Sequence, residues 1–420
     1  MRRAVSAVAA TVAIAMAVSG CTGGDAVQAR TPEQVTGELP GDTVTAMQAA
    51  VEHAMAVSGS SGAIVGVWVP WAGAWVEGLG TTTPGGDEPV TTDMSFRVTT
   101  MTRPMTCDVL YGLVDDGVVE LDDPVSQYVP SSPDLTDVTL QQLCDNTSGL
   151  GRSNPTLLPY ALRTPERQWN PREVAAAGLG KPSTEPGVAL TESDTGYLLL
   201  GVALSNAAQQ SAAELFRRYV TGPLGLQATA LPGREAAPPG EPALPGYRSS
   251  VADRAEGCVE PREYTELSAS FGYTDSGAVS TIGELGLYTE DLAARAKDGD
   301  AFVPRWSSAK PVSTESDSWY QYAGGTYIAG SMIGQQGSTP GYLTSAYSDT
   351  GNGLTVAVVL NNSAASEELV GYLAKELAAI ASKVPARSGE TAPDAALPWT
   401  AEAYHQAIAD RAVCPAEPAE

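Results

Sequence analysis

The chain has little positive charge. It contains five lysines and two histidines among 420 residues, and its formal net charge is −25. Such an acidic chain is unsuited to binding nucleic acid, or to docking on anionic lipid through a basic patch. Neither histidine, His53 or His405, has metal-ligand spacing to a cysteine. Because the sequence also lacks a glycine-rich phosphate loop and an HExxH motif, we expect no metal, nucleotide or flavin cofactor.

Long apolar runs are missing as well. The N-terminal apolar run over 7–18 is shorter than the roughly 20 residues that a membrane-spanning helix needs. The apolar run is followed by Val18-Ser-Gly-Cys21, so residues 1–21 are typical of a bacterial lipoprotein signal peptide. The alternative is an ordinary signal peptide in which the cysteine occurs by chance. We therefore expect acyl chains on Cys21 to hold the protein at the extracytoplasmic face of the cell membrane. Residues 22–42, rich in Gly, Thr and Pro, are predicted to be a flexible tether.

Four further cysteines follow the signal. An oxidising envelope compartment favours two disulfides among them, and four cysteines allow three pairings. Each bridge would contribute roughly 3–4 kcal/mol if it is unstrained. The four are Cys107, Cys144, Cys258 and Cys414.

Hydrophobic periodicity outlines the secondary structure at both ends of the chain. Residues 43–57 and 102–116 have apolar side chains at helical spacing. Residues 63–69 and 74–79 are rich in Val, Ile and Trp, which predicts two strands joined by a turn. Near the C-terminus, the segments GTYIAG, YLTSAYSD and LTVAVVLNN predict three antiparallel strands before a helix over 367–383.

Three short segments carry the most information: FRVTTMTRPMT (96–106), LTESDTGYLLLG (190–201) and MIGQQGSTPGY (332–342). Their frames resemble those of the serine β-lactamase and penicillin-binding-protein family, in particular its class C-like branch of β-lactamases, D,D-peptidases and esterases. A working member of that family carries Ser-x-x-Lys, Tyr-x-Asn and Lys/His-x-Gly in these segments. The equivalent positions here are Thr100 and Arg103, then Glu192 and Asp194, then Gln335 and Gly337.

The resemblance implies an α/β (α+β) fold, in which an antiparallel sheet flanked by helices carries an inserted all-helical domain and the site lies at their boundary. It covers residues 43–383. The α/β part would comprise 43–99 and 276–383, the helical part 100–275, and residues 384–420 would be a C-terminal extension.

The resemblance also favours one disulfide pairing. Cys107 and Cys144 lie on neighbouring helices in the family's fold, so we expect them to pair. Cys258 and Cys414 would then pair and pin the C-terminal extension.

The changes in the first segment remove the chemistry that the family uses. An internal threonine such as Thr100 lacks the N-terminal amine that activates a threonine nucleophile, and its methyl group stiffens the side chain. A helix-capping role for its hydroxyl is the alternative. Arginine is not deprotonated in proteins, so Arg103 cannot be the base that lysine supplies. It is expected to form an internal ion pair or an anion clamp.

The other two segments change the charge of the site. Glu192 and Asp194 add two carboxylates opposite Arg103, and buried charges must pair or shift their pKa. We interpret Thr100, Arg103, Glu192 and Asp194 as a charge-compensated plug, with a new acid/base pair as the alternative. The neutral amide of Gln335 cannot attract a carboxylate as a cation can. The charge pattern thus predicts a neutral or cationic ligand.

These substitutions leave three hypotheses for function. The first is a catalytically inactive envelope lipoprotein that binds a cell-wall peptide or an envelope protein. The second is a residual or rewired hydrolase, an esterase, amidase or peptidase, that uses Thr100 or the pair Glu192 and Asp194. The third is a structural envelope protein with a vestigial pocket.

Overall fold

We analysed a computed structural model, which describes residues 34–130, 135–181, 183–299 and 301–414. The predicted signal peptide, Cys21 and the first part of the predicted tether lie outside the described residues. No helix in the described ranges is long and apolar enough to span a membrane.

An eight-stranded antiparallel sheet forms the centre of the molecule, in the order β11-β12-β13-β14-β15-β16-β1-β2. The strand β1 (62–69) pairs with β16 (355–360), which joins the N-terminal and C-terminal parts of the chain in one sheet. Every residue of β15 (342–349) and β16 is buried. Because helices cover both faces of the sheet, polar residues of β15 such as Thr344 and Ser345 are buried as fully as the apolar residues of β16. The strands are β1 Gly62–Val69, β2 Gly73–Gly80, β3 Phe96–Arg97, β4 Ala236–Ala237, β5 Tyr247–Arg248, β6 Arg262–Glu263, β7 Leu267–Ser268, β8 Val279–Ser280, β9 Lys297–Asp298, β10 Ala301–Phe302, β11 Lys310–Pro311, β12 Tyr320–Ala323, β13 Thr326–Ala329, β14 Met332–Thr339, β15 Tyr342–Asp349 and β16 Thr355–Leu360.

Helices lie on both faces of this sheet and in the inserted part of the chain. One face packs against α1 and α14, and the other against α12. A 3-10 turn, Thr99–Met101, precedes α2, and a π-helical turn, Arg217–Thr221, follows α8. The helices are α1 Gly41–Ser58, α2 Thr102–Asp115, α3 Val125–Tyr128, α4 Leu140–Cys144, α5 Asn154–Ala161, α6 Pro171–Leu179, α7 Asp194–Ala208, α8 Ala212–Phe216, α9 Gly222–Leu224, α10 Val251–Ala255, α11 Tyr273–Ser276, α12 Ile282–Ala294, α13 Pro304–Ser307, α14 Glu367–Ala381 and α15 Ala401–Ala409.

The inserted part over 100–275 differs from the all-helical domain that the resemblance implies. Two short strand pairs occur in it: β4 with β7, and β5 with β6. Proline- and glycine-rich loops in this region cannot continue a helix, and these two-residue pairings satisfy part of their backbone. The inserted part is therefore mainly helical with long loops, and the two short strand pairs are an addition to the helices that the resemblance implies.

The predicted tether ends earlier than residue 42. Val35 N donates to Pro70 O at 3.0 Å, and Ala74 N donates to Gly37 O at 2.9 Å. Leu39 is buried, and α1 already begins at Gly41. Backbone hydrogen bonds to the β1–β2 hairpin thus hold residues 34–40 on the domain, which corrects the predicted extent of free chain.

Both disulfides that the resemblance favours are present. Cys107 in α2 is bonded to Cys144 in α4, and Cys258 is bonded to Cys414. The second bridge joins the inserted part to the C-terminal extension, whose helix α15 packs on α14 and α1. The extension is therefore part of the folded domain over its described length.

A buried lysine lies where the extension meets the sheet. Lys375 of α14 is 2% exposed and donates to Gln336 Oε1 at 3.3 Å. Its ammonium lies 4.9–5.9 Å from the ring centres of four tyrosines, and burial lowers its pKa to about 7. The ring faces offset part of the cost of burying the charge. The four are Tyr320, Tyr347, Tyr372 and Tyr404.

Candidate functional site

A cleft of about 380 Å³ opens between β14 and the inserted part of the chain. Its wall includes Thr100, Arg103, Glu192 and Gly337, so the fold brings residues from all three segments together. Of the described residues that line the cleft, none is a histidine, lysine or cysteine. The two histidines, His53 and His405, stack on each other 4.0 Å apart between α1 and α15.

Thr100 lines the cleft and lies in the 3-10 turn before α2. Its side chain is 8% exposed, and its Oγ1 donates to the backbone carbonyl of Gln336 at 2.6 Å. A Cβ on Gly337 would lie 2.1 Å from Thr100 Oγ1, so only glycine allows β14 to approach this closely. The threonine hydroxyl therefore bonds to β14, and the capping role proposed for it is not what the structure shows.

Arg103 is clamped by two carboxylates. Its guanidinium is 3% exposed, and its Nε donates to Asp275 Oδ1 at 2.8 Å. Its Nη2 donates to Glu192 Oε1 at 3.2 Å, and Arg152 approaches the other oxygen of Glu192 at 3.6 Å. The ring of Tyr197 lies 5.0 Å from the guanidinium carbon. The internal ion pair expected for Arg103 is present, and Asp275 is its nearest partner.

The pKa values follow from burial and from this pairing. Burial disfavours the charge on Arg103, but Asp275 and Glu192 more than offset it and raise the pKa of Arg103 well above its usual value. Burial would raise the pKa of Glu192, but Arg103 and Arg152 lower it below the usual value. Burial raises the pKa of Asp275, and Arg103 opposes that rise. A carboxylate with a lowered pKa is a weak base, so Glu192 is poorly suited to accept a proton.

Asp194 takes no part in the plug. It begins α7 and is 4% exposed, and its carboxylate accepts hydrogen bonds from Ser153 N at 3.0 Å, Asn154 N at 2.8 Å and the Ser153 hydroxyl. A carboxylate in the first turn of a helix is also stabilised by the helix dipole. The predicted plug of Thr100, Arg103, Glu192 and Asp194 is corrected: Asp275 occupies the place assigned to Asp194.

Gln335 does not face the cleft. It is fully buried, its Nε2 donates to Gly325 O at 3.0 Å and to Tyr322 Oη at 3.3 Å, and its Oε1 accepts from Gln336 N. Tyr322 in turn contacts Tyr197 Oη at 2.9 Å. The amide at the third-motif position thus completes a buried hydrogen-bond network under the cleft, where no ligand can reach it.

Sequence reasoning missed several residues of the cleft. Asp275 lies in the segment YTDSGAVS, where its signal is a carboxylate among small residues. Arg152, Arg248 and Tyr327 also line the cleft, and nothing in the local sequence marked them. Burial raises the pKa of Tyr327 well above its usual value, so its phenol stays protonated at neutral pH and cannot take up a proton.

The comparisons with known proteins agree with the fold and the position of the site. A family model described as Beta-lactamase matches residues 47–379. The chain belongs to the β-lactamase family.

Curated relatives match this family member over part of their length. A D-alanyl-D-alanine-carboxypeptidase/endopeptidase, AmpH of Escherichia coli (strain K12), is 33% identical over 157 residues, which are 36% of this chain and 40% of the relative. Penicillin-binding protein 4* of Bacillus subtilis (strain 168) is 24% identical over 281 residues, which are 61% of this chain and 58% of the relative. The matches thus span less than two thirds of either relative.

Solved structures confirm the β-lactamase/transpeptidase-like fold. The D-amino acid amidase from Ochrobactrum anthropi SV3, complexed with D-phenylalanine, has a TM-score of 0.65 at 21% identity, covering 78% of this chain and 94% of that one. A β-lactamase/D-alanine carboxypeptidase from Yersinia pestis has a TM-score of 0.60 at 21% identity, covering 81% of this chain and 99% of that one.

Replacing Glu192 by Gln tests the contribution of its ion pairs. The lowered pKa of Glu192 means that its stabilisation is present above its usual pKa of 4.5 and is lost as the pH falls through the folded value. The Glu192 side chain is 32% exposed, which weakens the pairing through solvent screening. We expect Glu192→Gln to lower the free energy of unfolding by about 1 kcal/mol at pH 7, and by much less near pH 3.

Denaturant unfolding at both pH values measures this difference. The matched control is Glu173→Gln, which removes an exposed ion pair with Arg167 and should cost less than about 0.5 kcal/mol. A loss that is equal at both pH values would show that the charge of Glu192 is not what stabilises the fold.

Proposed function

We propose that this β-lactamase family member is an envelope protein that binds a ligand in its cleft without forming an acyl-enzyme. The observation that carries the proposal is the buried pairing of Arg103 with Asp275 and Glu192 at the place of the family's proton-transferring lysine. Acyl transfer needs a group that takes the proton from the nucleophile. A permanently charged guanidinium has no lone pair for that proton.

The hydrogen bond of the Thr100 hydroxyl supports the same proposal. Thr100 donates its hydrogen bond to a backbone carbonyl, which cannot remove a proton. The carboxylates nearest to it in the sequence motifs are already committed, Glu192 to two arginines and Asp194 to three hydrogen-bond donors. A rewired hydrolase that uses Thr100 or these carboxylates therefore finds little support. The open cleft argues against a purely structural protein with a vestigial pocket.

The cellular context belongs to the proposal too. The lipobox-like sequence before Cys21 supports a lipid anchor at the extracytoplasmic face of the cell membrane. In that place the ligands within reach are cell-wall peptides and other envelope proteins. AmpH is a carboxypeptidase/endopeptidase and the Ochrobactrum anthropi protein is a D-amino acid amidase, so we propose a peptide-like ligand for this cleft.

Intact-mass measurement tests the absence of acyl transfer. The full chain is incubated with a penicillin and, separately, with a fluorophosphonate, and its folded state is checked by thermal unfolding. We expect no covalent adduct with either reagent, because Thr100 lacks a base. A relative with an intact Ser-x-x-Lys motif, treated in parallel, shows that the reagents are active.

A stoichiometric adduct would contradict the proposal. If it maps to Thr100 and disappears in Thr100→Ala, the acyl-transfer site works in altered form and the hydrolase hypothesis replaces binding. Protection of the fold by soluble cell-wall peptides, seen as a rise in Tm with peptide concentration, is the result that supports binding.

Membrane fractionation tests the anchor. Because the acyl chains would be attached to Cys21, we expect the protein in the membrane fraction and a Cys21→Ser variant largely outside it. A variant that stays on the membrane as fully as the native chain would contradict anchoring through this cysteine.

A further inference from the structure

A second pocket, of about 350 Å³, lies beside α2. The later turns of α2, the π-helical turn with α9, and the end of α12 form its wall. Among the described residues, none lines both this pocket and the cleft. Its volume falls in the range of sites that hold small organic ligands, about 300–1,000 Å³. We call it the α2 pocket, and its lining includes Asp108, Tyr111, Asp115, Tyr219, Leu224 and Arg295.

Two helices depart from regular geometry or composition at this pocket. The segment Arg217–Thr221 forms a π-helical turn, a rare conformation that occurs frequently at functional sites. Tyr219 of this turn lies against α2 at Gly112, where a Cβ would approach Tyr219 Cδ1 to 2.3 Å. Glycine in the interior of a helix destabilises the helix relative to alanine. The ring of Tyr219 can therefore form part of the pocket wall only because α2 has a glycine at this position.

Tyr111 adds a third departure at the same pocket. Its Oη is buried and has no hydrogen-bond partner in the part of the chain that the structure describes. Buried hydroxyl groups usually have a partner, because an unpaired one costs free energy. Folded chains keep to local rules except mainly at functional or strained sites. Three departures around one pocket thus indicate a site with a function of its own.

The arginines of the α2 pocket are already neutralised. Arg295 pairs with Asp108 at 3.3 Å and with Asp291 at 2.7 Å. Arg218 pairs with Asp116. Among the described residues, these two are the arginines that line the pocket, and lysine and histidine are absent from its lining. An anionic ligand would therefore compete with carboxylates that are already in place.

Negative charge, in contrast, is left over at the rim. Asp115 lines the pocket, is exposed, and forms no ion pair within the described ranges. It is the last residue of α2, and α12 also ends beside the pocket, at Ala294. The C-terminal end of a helix dipole is negative, so both helix ends add to the potential of this carboxylate. The rim is therefore suited to a cation.

The remaining wall is suited to an apolar body. Val220, Pro223 and Leu224 contribute aliphatic surface, and Tyr111 and Tyr219 contribute aromatic rings. An aromatic ring packs favourably on such a wall, and the face of a tyrosine ring also attracts cations. A ligand that combines one ring with one positive charge matches both parts of the pocket.

We propose that the α2 pocket is a second binding site, which takes a small arylalkylamine with its ammonium beside Asp115 and its ring on Tyr219 and Leu224. This site goes beyond the proposed function and is independent of it, because the described linings of pocket and cleft are separate.

Ligand-observed NMR titration of the full chain tests the site with three probes, phenethylamine, phenethyl alcohol and hydrocinnamate. They carry the same phenylethyl body and differ in their polar end, which is a cation, a neutral hydroxyl or a carboxylate at pH 7. We expect the amine to bind about threefold to fivefold more tightly than the alcohol, as one exposed ion pair predicts. The carboxylate should bind most weakly, because it lies beside Asp115.

Three variants locate the amine. Asp115→Asn should reduce the affinity for the amine to that for the alcohol and leave the alcohol unchanged. Asp122→Asn is the matched control, because Asp122 is an exposed aspartate outside the pocket, and it should change neither affinity. Leu224→Trp fills the pocket with a larger side chain and should weaken the amine and the alcohol at least about tenfold. Thermal unfolding checks that each variant is folded.

Several results would overturn the site. Equal affinity for the three probes, an affinity for the amine that Asp115→Asn does not change, or no saturable binding of the amine would each do so. Loss of the amine in Glu192→Gln, with binding retained in Asp115→Asn, would place the amine in the cleft and overturn the site as well. None of these results bears on the proposed function, which fails separately if Thr100 forms an adduct.

Discussion

The pairing of Arg103 with Asp275 and Glu192 is the constraint on which the site depends. A buried guanidinium without partners would cost several kcal/mol, so the residues around it cannot vary independently. Asp275 comes from α11 and Glu192 from the loop before α7, and Arg103 joins both to α2. Arg103 and Glu192 stand at the positions where the family's motifs carry lysine and tyrosine. This pairing is the basis of our proposal that the site does not carry out acyl transfer.

The family's scaffold is retained around the substituted motif positions. Gly337 still lets β14 pass against Thr100, and the network of Gln335, Tyr322 and Tyr197 fills the layer beneath the cleft. The cleft stays open between β14 and the inserted part of the chain. We propose on these grounds that the cleft binds a ligand and does not form an acyl-enzyme.

Much of the fold could be predicted from the sequence, because strands, helices and frames are local patterns. The β1–β2 hairpin, helix α2, the closing strands and both disulfides agree with expectation. The site was harder, because ion-pair partners are far apart in the chain: Arg103 and Asp275 are separated by 172 positions. Residues of one motif also take different partners: the carboxylate of Asp194 binds Ser153, whereas that of Glu192 pairs with Arg103. Side-chain direction at a helix start depends on which donors surround it, and no local pattern contains that information.

A double-mutant cycle on Arg103 and Asp275 tests the central claim most directly. The free energy of unfolding is measured for the native chain, Arg103→Met, Asp275→Asn and the double variant. If the pair is the constraint described here, Arg103→Met costs about 3–5 kcal/mol because it leaves a buried carboxylate unpaired. The double variant then costs less than the sum of the single variants, by about 1–3 kcal/mol. Costs that add to within about 0.5 kcal/mol would mean that the two residues act independently, and would contradict the account.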